Sequence, residues 1–234
     1  MSFTLRSTLL GLALFSTQAA AVEFSFLSSI PASTAFGNSY TQTLDSLSVT
    51  ATAWSTTGAK GKYETAALGI YDGWGMGVCN RIEGVSCSDT NMMHTLNNRD
   101  ADDLILFTFS QRVSLGNLSL RQFGIDYNTQ GDSDLSLWAG SGTPNLLGTA
   151  PSSLGTQTPF INNKAPNGIY AVNLAGLVGS YDWLAVSARI MQKDDFIKLR
   201  SLTVQAATPV PEADSWAMLL AGLGLVGFAV RRRT

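Results

Sequence analysis

Apolar and polar residues alternate along most of the chain between residues 22 and 205. A period of two is typical of β-strands that bury one face. The alternation is clearest over residues 47–54, whereas residues 104–109 are almost entirely apolar and predict a central strand. A longer alternating stretch, 113–126, predicts a strand that breaks near Gly116 and Asn117. Further strands are predicted at 23–27, 66–71, 135–138, 169–174, 183–190 and 196–204.

Clusters of Gly, Asn, Asp and Pro separate these predicted strands at intervals of about 8–15 residues. No stretch of this region shows a sustained helical period, so the crossover helices that a parallel sheet needs are missing. Many short strands joined by frequent turns favour an all-β fold. We therefore expect an antiparallel β-sandwich of jelly-roll or Greek-key type over residues 22–205.

The first 21 residues have the three parts of a secretory signal peptide. Arg6 precedes an apolar run over residues 9–15, and Ala19 and Ala21 place small residues at positions −3 and −1 of a cleavage site. Cleavage is expected after Ala21. The mature chain is therefore expected outside the cytosol.

The C-terminal region has the organisation of a short membrane anchor. A linker at 206–215 precedes 15 residues without a charge, 216–230, and these are followed by a basic tail at 231–234. In a helix, 15 residues cover only about 22 Å, so a span needs the arginines to reach out to the interface. The pattern predicts a single, marginal transmembrane helix with a cytoplasmic tail.

The order of these C-terminal parts resembles the PEP-CTERM sorting signal. Val210, Pro211 and Glu212 come first, an apolar Gly-rich segment follows, and the basic cluster is formed by Arg231, Arg232 and Arg233. Ala213 stands where the family pattern has a second proline. The resemblance implies export in a Gram-negative, exopolysaccharide-producing bacterium and processing by exosortase, a membrane-embedded enzyme. It implies an inner-membrane precursor with a periplasmic domain, and later release to the cell surface or the extracellular space.

Composition narrows the range of functions. Charged residues make up 14% of the chain, against roughly 25% in an average soluble protein, and hydrophobic residues make up 45%. This hydrophobic content argues against a disordered chain. The net charge is −2 and the only basic tract lies at the extreme C-terminus, so nucleic acid is not expected as a partner.

Two groups of residues are candidates for a disulfide and a metal site. Cys79 and Cys87 flank a Gly-containing loop, and in an exported protein this predicts a disulfide; the alternative is that both remain reduced thiols. Asp126, Asp132 and Asp134 surround a turn and are candidate calcium ligands. The alternative is that these acids form Asx-turns and keep strand edges soluble. No other cofactor is expected.

The remaining candidates concern ligand binding and catalysis. Trp74 lies in a Gly-rich segment, 73–77, which predicts a loop with an exposed ring that contacts a ligand. Trp138 and Trp183 fall within strand patterns and are expected in the core. His94, the single histidine, has no nucleophile motif around it. We predict no catalytic residue.

The function expected from the sequence is that of a non-enzymatic envelope or matrix protein. It would be sorted by exosortase and display a β-sandwich, with exopolysaccharide as a candidate contact. Two alternatives carry the same sorting tail. One is a secreted glycosidase-like enzyme, which would need two facing carboxylates, and the other is a dedicated glycan-binding module.

Overall fold

The computed structural model describes residues 20–27, 37–82, 94–122, 133–161, 168–190, 192–207 and 213–232. Within them are thirteen strands, one 3-10 turn (Pro151–Leu154) and one α-helix, α1 (Ala213–Arg231). The strands are β1 (Ala21–Ser25), β2 (Ser39–Leu44), β3 (Leu47–Gly58), β4 (Lys62–Thr65), β5 (Ala67–Tyr71), β6 (Gly75–Cys79), β7 (Leu96–Asn97), β8 (Asp103–Gln122), β9 (Leu135–Gly140), β10 (Thr158–Phe160), β11 (Ile169–Asn173), β12 (Tyr181–Ala188) and β13 (Phe196–Ala206). All of them lie in one unit, Ala20–Ala207, and α1 lies outside it.

The strands form one large antiparallel sheet. Its main path runs β10-β9-β12-β8-β13-β6-β5. Three further strands join the path at β8, because β3 pairs with β8 and also with β2 and β4. In addition, β11 pairs with β8, while β1 and β7 pair with β13. The prediction of an all-β, antiparallel fold is confirmed.

Strand β8 is the longest strand described, and its two halves have different partners. Its first half pairs with β3 and β12, and its second half pairs with β11 and β13. The predicted break near Gly116 and Asn117 is wrong, because β8 continues through both residues. A Cβ at Gly116 would lie 3.0 Å from the carbonyl oxygen of Thr203 on β13. The glycine therefore permits close strand pairing there and does not end the strand.

The first half of β8 is apolar on both faces because both faces are covered. Ile105 and Phe107 belong to the main core, which also includes buried residues of β1, β3, β12 and β13. Within this core the rings of Phe26 and Phe107 stack with centroids 5.6 Å apart. A second cluster packs on the opposite face; it comprises Tyr63, Leu104, Leu106, Trp138, Leu146, Trp183 and Ala185. The two tryptophans are buried, as predicted from their strand positions.

Helix α1 exposes large apolar side chains along its described length. They include Met218, Leu223, Leu225 and Phe228. Even so, no helix within the described residues is long and apolar enough to cross a membrane. The transmembrane helix predicted at 216–230 is therefore not confirmed.

Candidate functional site

Trp74 lies in the turn that joins β5 to β6. The turn is closed by a hydrogen bond from the backbone N–H of Trp74 to the carbonyl oxygen of Tyr71, 2.9 Å long. Gly73 has φ +68°, a left-handed conformation that glycine adopts without steric cost. The ring of Trp74 is half-buried. The sequence predicted an exposed ring, and the structure places Trp74 as a half-buried residue; its contact with a ligand stays a prediction.

The Gly-rich segment after Trp74 is a strand, not the predicted loop. Residues Gly75–Cys79 form β6, and all five are buried. A Cβ at Gly75 would lie 2.5 Å from the carbonyl oxygen of Leu199, and one at Gly77 would collide with the backbone of His94. Glycine is needed here because two backbones cross closely, and this use of glycine looks the same in sequence as a flexible loop.

Two arginines from neighbouring strands surround Trp74. The guanidinium of Arg121, on β8, lies over the Trp74 ring at 4.1 Å from its centroid. Arg200, on β13, donates a hydrogen bond of 2.8 Å from Nη1 to the carbonyl oxygen of Gly73. Both arginines are half-buried. We call Trp74, Arg121 and Arg200 the arginine–tryptophan surface.

The charges of this surface are not neutralised within the described residues. No carboxylate described there lies within ion-pair distance of Arg121 or Arg200. Burial, and after it the positive charge of Arg121, lower the pKa of Arg200. An arginine stays protonated at neutral pH despite such a shift, so two like charges are held close together.

A buried lysine, Lys198, lies on the same face of β13 as Arg200, opposite the face that packs on the main core. Lys198 pairs in register with Arg121. Its Nζ lies 3.3 Å from the centroid of the Tyr71 ring and donates a 2.5 Å hydrogen bond to the carbonyl oxygen of His94. His94 itself is buried, and its backbone crosses over Gly77. The contact that the structure gives for His94 is thus made by its backbone carbonyl group, which accepts the hydrogen bond from Lys198.

The structure describes one of the two cysteines of the predicted disulfide. Cys79 is the last residue of β6, is buried and is disulfide-bonded. Cys87, the other cysteine in the sequence, lies outside the described residues.

Of the three candidate calcium ligands, only Asp134 is described; Asp126 and Asp132 lie outside the described residues. The Asp134 carboxylate is buried and forms an ion pair with Arg189, with Oδ2 and Nη1 2.8 Å apart. Its backbone N–H donates to Oδ1 of Asp195 at 2.6 Å. An arginine therefore already neutralises this carboxylate. Among the described residues, no group of three or more His, Cys, Asp or Glu is placed to hold a metal ion.

Two acids at the start of β8, Asp102 just before it and Asp103 as its first residue, lie close to Tyr63 of the second hydrophobic cluster. Burial raises the pKa of Asp102 to about 6. Burial also raises the pKa of Tyr63 well above its usual range, with smaller contributions from the charges of Asp102 and Asp103. Asp103 is fully buried and accepts hydrogen bonds of 3.0 Å from the side chains of Asn80 and Asn97. Amide donors hold the Asp103 carboxylate, whereas the Asp102 carboxylate is only partly buried.

The residues of the predicted export and sorting signals are only partly described. Ala21 is the first residue of β1 and pairs with Gln205, whereas Ala19 lies outside the described residues. Arg231 ends α1, and the guanidinium of Arg232 lies 5.6 Å from the centroid of the Phe228 ring. Val210, Pro211, Glu212 and Arg233 lie outside the described residues.

Sequence reasoning missed Arg121 and Arg200. Each sits at an outward position of a strand, where an isolated arginine has no distinguishing signal. What brings them to Trp74 is the register between β8 and β13 and the packing of the β5–β6 turn beside them. No local pattern in the sequence encodes that register.

Comparison with known proteins identifies the C-terminal segment. Residues 209–233 match the family described as the PEP-CTERM protein-sorting motif. No curated protein matches the chain. The chain thus carries the sorting motif that its C-terminal residues resemble, and this motif implies an exported protein that exosortase processes.

Proposed function

We propose that this protein is a cell-envelope or extracellular-matrix protein that displays a non-catalytic β-sandwich after sorting by exosortase. The observation that carries the proposal is the sorting motif at residues 209–233, directly after a separately packed unit, Ala20–Ala207. Residues 22–207 of this unit are what remains to be displayed once the signal peptide has been cleaved and the sorting tail processed. Exosortase is the partner that the motif implies.

In this proposal the precursor is held in the inner membrane by α1. From Met218 to Val230 the helix exposes apolar side chains and has no charged residue, as expected of a helix surrounded by lipid and not packed on a core. Its apolar segment is short, so Arg231 and Arg232 would have to reach the cytoplasmic interface through their long side chains. Pro209 and Pro211 disfavour helical geometry in the sequence before α1, which would suit an enzyme that processes extended backbone.

The proposal of a sandwich is supported by a core contact between strands that are not paired with each other. Phe26, which follows β1, stacks on Phe107 in the first half of β8, although β1 pairs with β13 and not with β8. Such contact between strands that are not neighbours is expected when a sheet folds over itself and buries one common core. The jelly-roll or Greek-key type is part of the proposal.

A non-catalytic role is favoured by the state of the described acids. A glycosidase needs two carboxyl groups that face each other across a cleft. Asp103 is instead bonded to two buried amides, and Asp134 is paired with Arg189. A glycan-binding module is the second candidate function, and the observation that favours it is the arginine–tryptophan surface around Trp74.

The sorting proposal is tested by a pulse-chase of epitope-tagged protein in a host with and without its exosortase. With the enzyme present, wild-type precursor should leave the inner membrane, whereas Glu212→Ala and a deletion of residues 231–233 should leave precursor behind. Glu23→Ala, an exposed change on β1, is the matched control and should be processed like the wild type. Equal processing in both hosts would contradict the proposal.

Membrane anchoring by α1 needs its own measurement. Precursor that accumulates without exosortase should stay in the membrane pellet after extraction at alkaline pH. Leu223→Asp places a charge within the apolar segment and should release the precursor, whereas Leu223→Ile should not. Release of the wild-type precursor would show that α1 is not the anchor.

A further inference from the structure

The contact of Arg121 with Trp74 fixes the position of the guanidinium group and leaves its N–H groups unused by that contact. The guanidinium lies over Trp74 at 4.1 Å, and no hydrogen-bond acceptor in the described residues lies within reach of its N–H groups. Stacking on an aromatic ring uses the face of the guanidinium and leaves its edge, where all five N–H donors lie. Arg121 is therefore held in position, and no described residue uses its donors.

Arg200 supplies a second cation beside the first. Its hydrogen bond to the carbonyl oxygen of Gly73 fixes it to the same turn that carries Trp74. The mutual repulsion of the two guanidinium groups contributes to the lowered pKa of Arg200. An anion bound between them would relieve this repulsion and would satisfy the donors.

The surroundings of the two arginines are those of a surface that accepts a ring-shaped ligand. Ile169, on β11, pairs in register with Arg121 on β8. It is 55% exposed and extends the surface with an apolar side chain. The Trp74 ring, under the Arg121 guanidinium, is the aromatic part of the surface. Sugar rings offer apolar C–H faces to such side chains, and acidic sugars add a carboxylate that matches the fork of an arginine.

We propose that the arginine–tryptophan surface binds the carboxylate groups of an acidic polysaccharide. This rests on the proposed function, because it supplies the ligand class for a module displayed in a polysaccharide-rich envelope. Nucleic acid fits less well, since it requires an extended basic stripe and the whole chain carries a net charge of −2. Repeated carboxylates along a polymer would also raise the apparent affinity of copies held on one cell surface.

The test measures binding of the detergent-purified full chain to immobilised polygalacturonate, with its fully methyl-esterified form as the matched uncharged polymer. Wild-type protein should bind the acid form and not the ester. Arg121→Gln and Arg200→Gln should each weaken binding by roughly tenfold or more, as expected for the loss of hydrogen bonds to a charged group. Arg121→Lys keeps the charge but loses the fork, and should fall between wild type and Arg121→Gln.

Arg112→Gln is the matched control. It removes the same charge from an exposed arginine of the same strand, which is bonded to the carbonyl of Ser180 and lies 3.9 Å from Asp182. Its binding should equal that of the wild type. Thermal unfolding of each variant shows whether a loss of binding comes from a loss of fold.

Several outcomes would overturn the site. They are equal binding of acid and ester, an equal loss with Arg112→Gln, tighter binding to duplex DNA than to polygalacturonate, and no binding at all. The sorting proposal is tested separately by the pulse-chase assay, in which Arg121→Gln should leave exosortase-dependent processing unchanged. Normal processing with no glycan binding would overturn the site alone, and exosortase-independent processing with intact binding would overturn the sorting alone.

Discussion

Replacing Gly77 by alanine tests whether the backbone of residues 94 and 95 is held against β6. Gly77 has an ordinary extended conformation, so alanine brings no backbone strain of its own. The added Cβ would collide with the carbonyl oxygen of His94, and would lie 3.0 Å from its carbonyl carbon and 3.3 Å from Cα of Thr95. These are backbone atoms, which cannot rotate away. The 94–95 segment must therefore shift.

The shift has a cost beyond the collision. Inserting one carbon into a well-packed site typically destabilises a protein by about 1–3 kcal/mol. Moving His94 also removes the carbonyl acceptor of the buried Lys198 ammonium, so we expect about 3 kcal/mol, the upper end of that range. For a unit of this size, a loss of about 3 kcal/mol lowers Tm by roughly 6–12 °C.

The assay is thermal and urea unfolding of Gly77→Ala under non-reducing conditions, monitored by circular dichroism. Gly176→Ala is the matched control, because a Cβ there has no neighbour within 4 Å and the backbone conformation is not left-handed. That variant should match or slightly exceed the wild type in stability. If Gly77→Ala proved as stable as Gly176→Ala, the described packing of residues 94 and 95 on β6 would be refuted.

Three further predictions address burial, hydrogen bonding and the sorting motif. Because burial raises the pKa of Asp102 to about 6, the stability gained from its protonated form is complete below about pH 3.9 and is lost as pH rises through 6. Asp102→Asn should therefore stabilise the protein by about 1 kcal/mol at pH 7.5, after allowing for partial exposure, and by almost nothing at pH 3.5; unfolding at both values, with exposed Asp100→Asn unchanged as control, checks this. Asn98→Ala removes amide bonds to Asp195 and to a backbone carbonyl, and should cost about 3 kcal/mol in urea unfolding, whereas exposed Asn117→Ala should cost little. Ala213→Pro restores the second proline of the family pattern at a helix start, where proline is tolerated, and pulse-chase should show processing at least as fast as wild type; slower processing would contradict this.

The strands that sequence reasoning located are those with one or two apolar faces. Residues 47–54 alternate because β3 buries every second side chain, and residues 104–107 are uniformly apolar because hydrophobic clusters cover both faces of β8. The polar segment Ser39–Leu44 was not predicted as a strand, although it forms β2. It pairs only with β3 and buries none of its side chains fully, so it has no apolar signal.

Three glycines explain two further errors in the predicted fold, the loop at 73–77 and the break in β8. Gly75, Gly77 and Gly116 were interpreted as signs of a loop or a break, yet all three lie within strands. Each is close to the backbone of another segment that is remote in sequence. A sequence shows that glycine has no side chain, but it does not show which atoms lie where a side chain would be. Those atoms belong to segments remote in sequence, and the register of the strands brings them there. The same limit hid Arg121 and Arg200, whose positions beside Trp74 follow from register alone.

The place of β13 in the sheet has a consequence for the order in which the protein matures. It is the final strand along the described chain, yet β1, β6, β7 and β8 all pair with it. In a chain that is exported N-terminus first, these four strands cannot pair with β13 until residues 196–206 have emerged. This part of the sheet is therefore completed only when Ala206 has left the channel. By then the sorting tail is the next segment in the channel, so closure of the sheet and arrival of the tail become consecutive events.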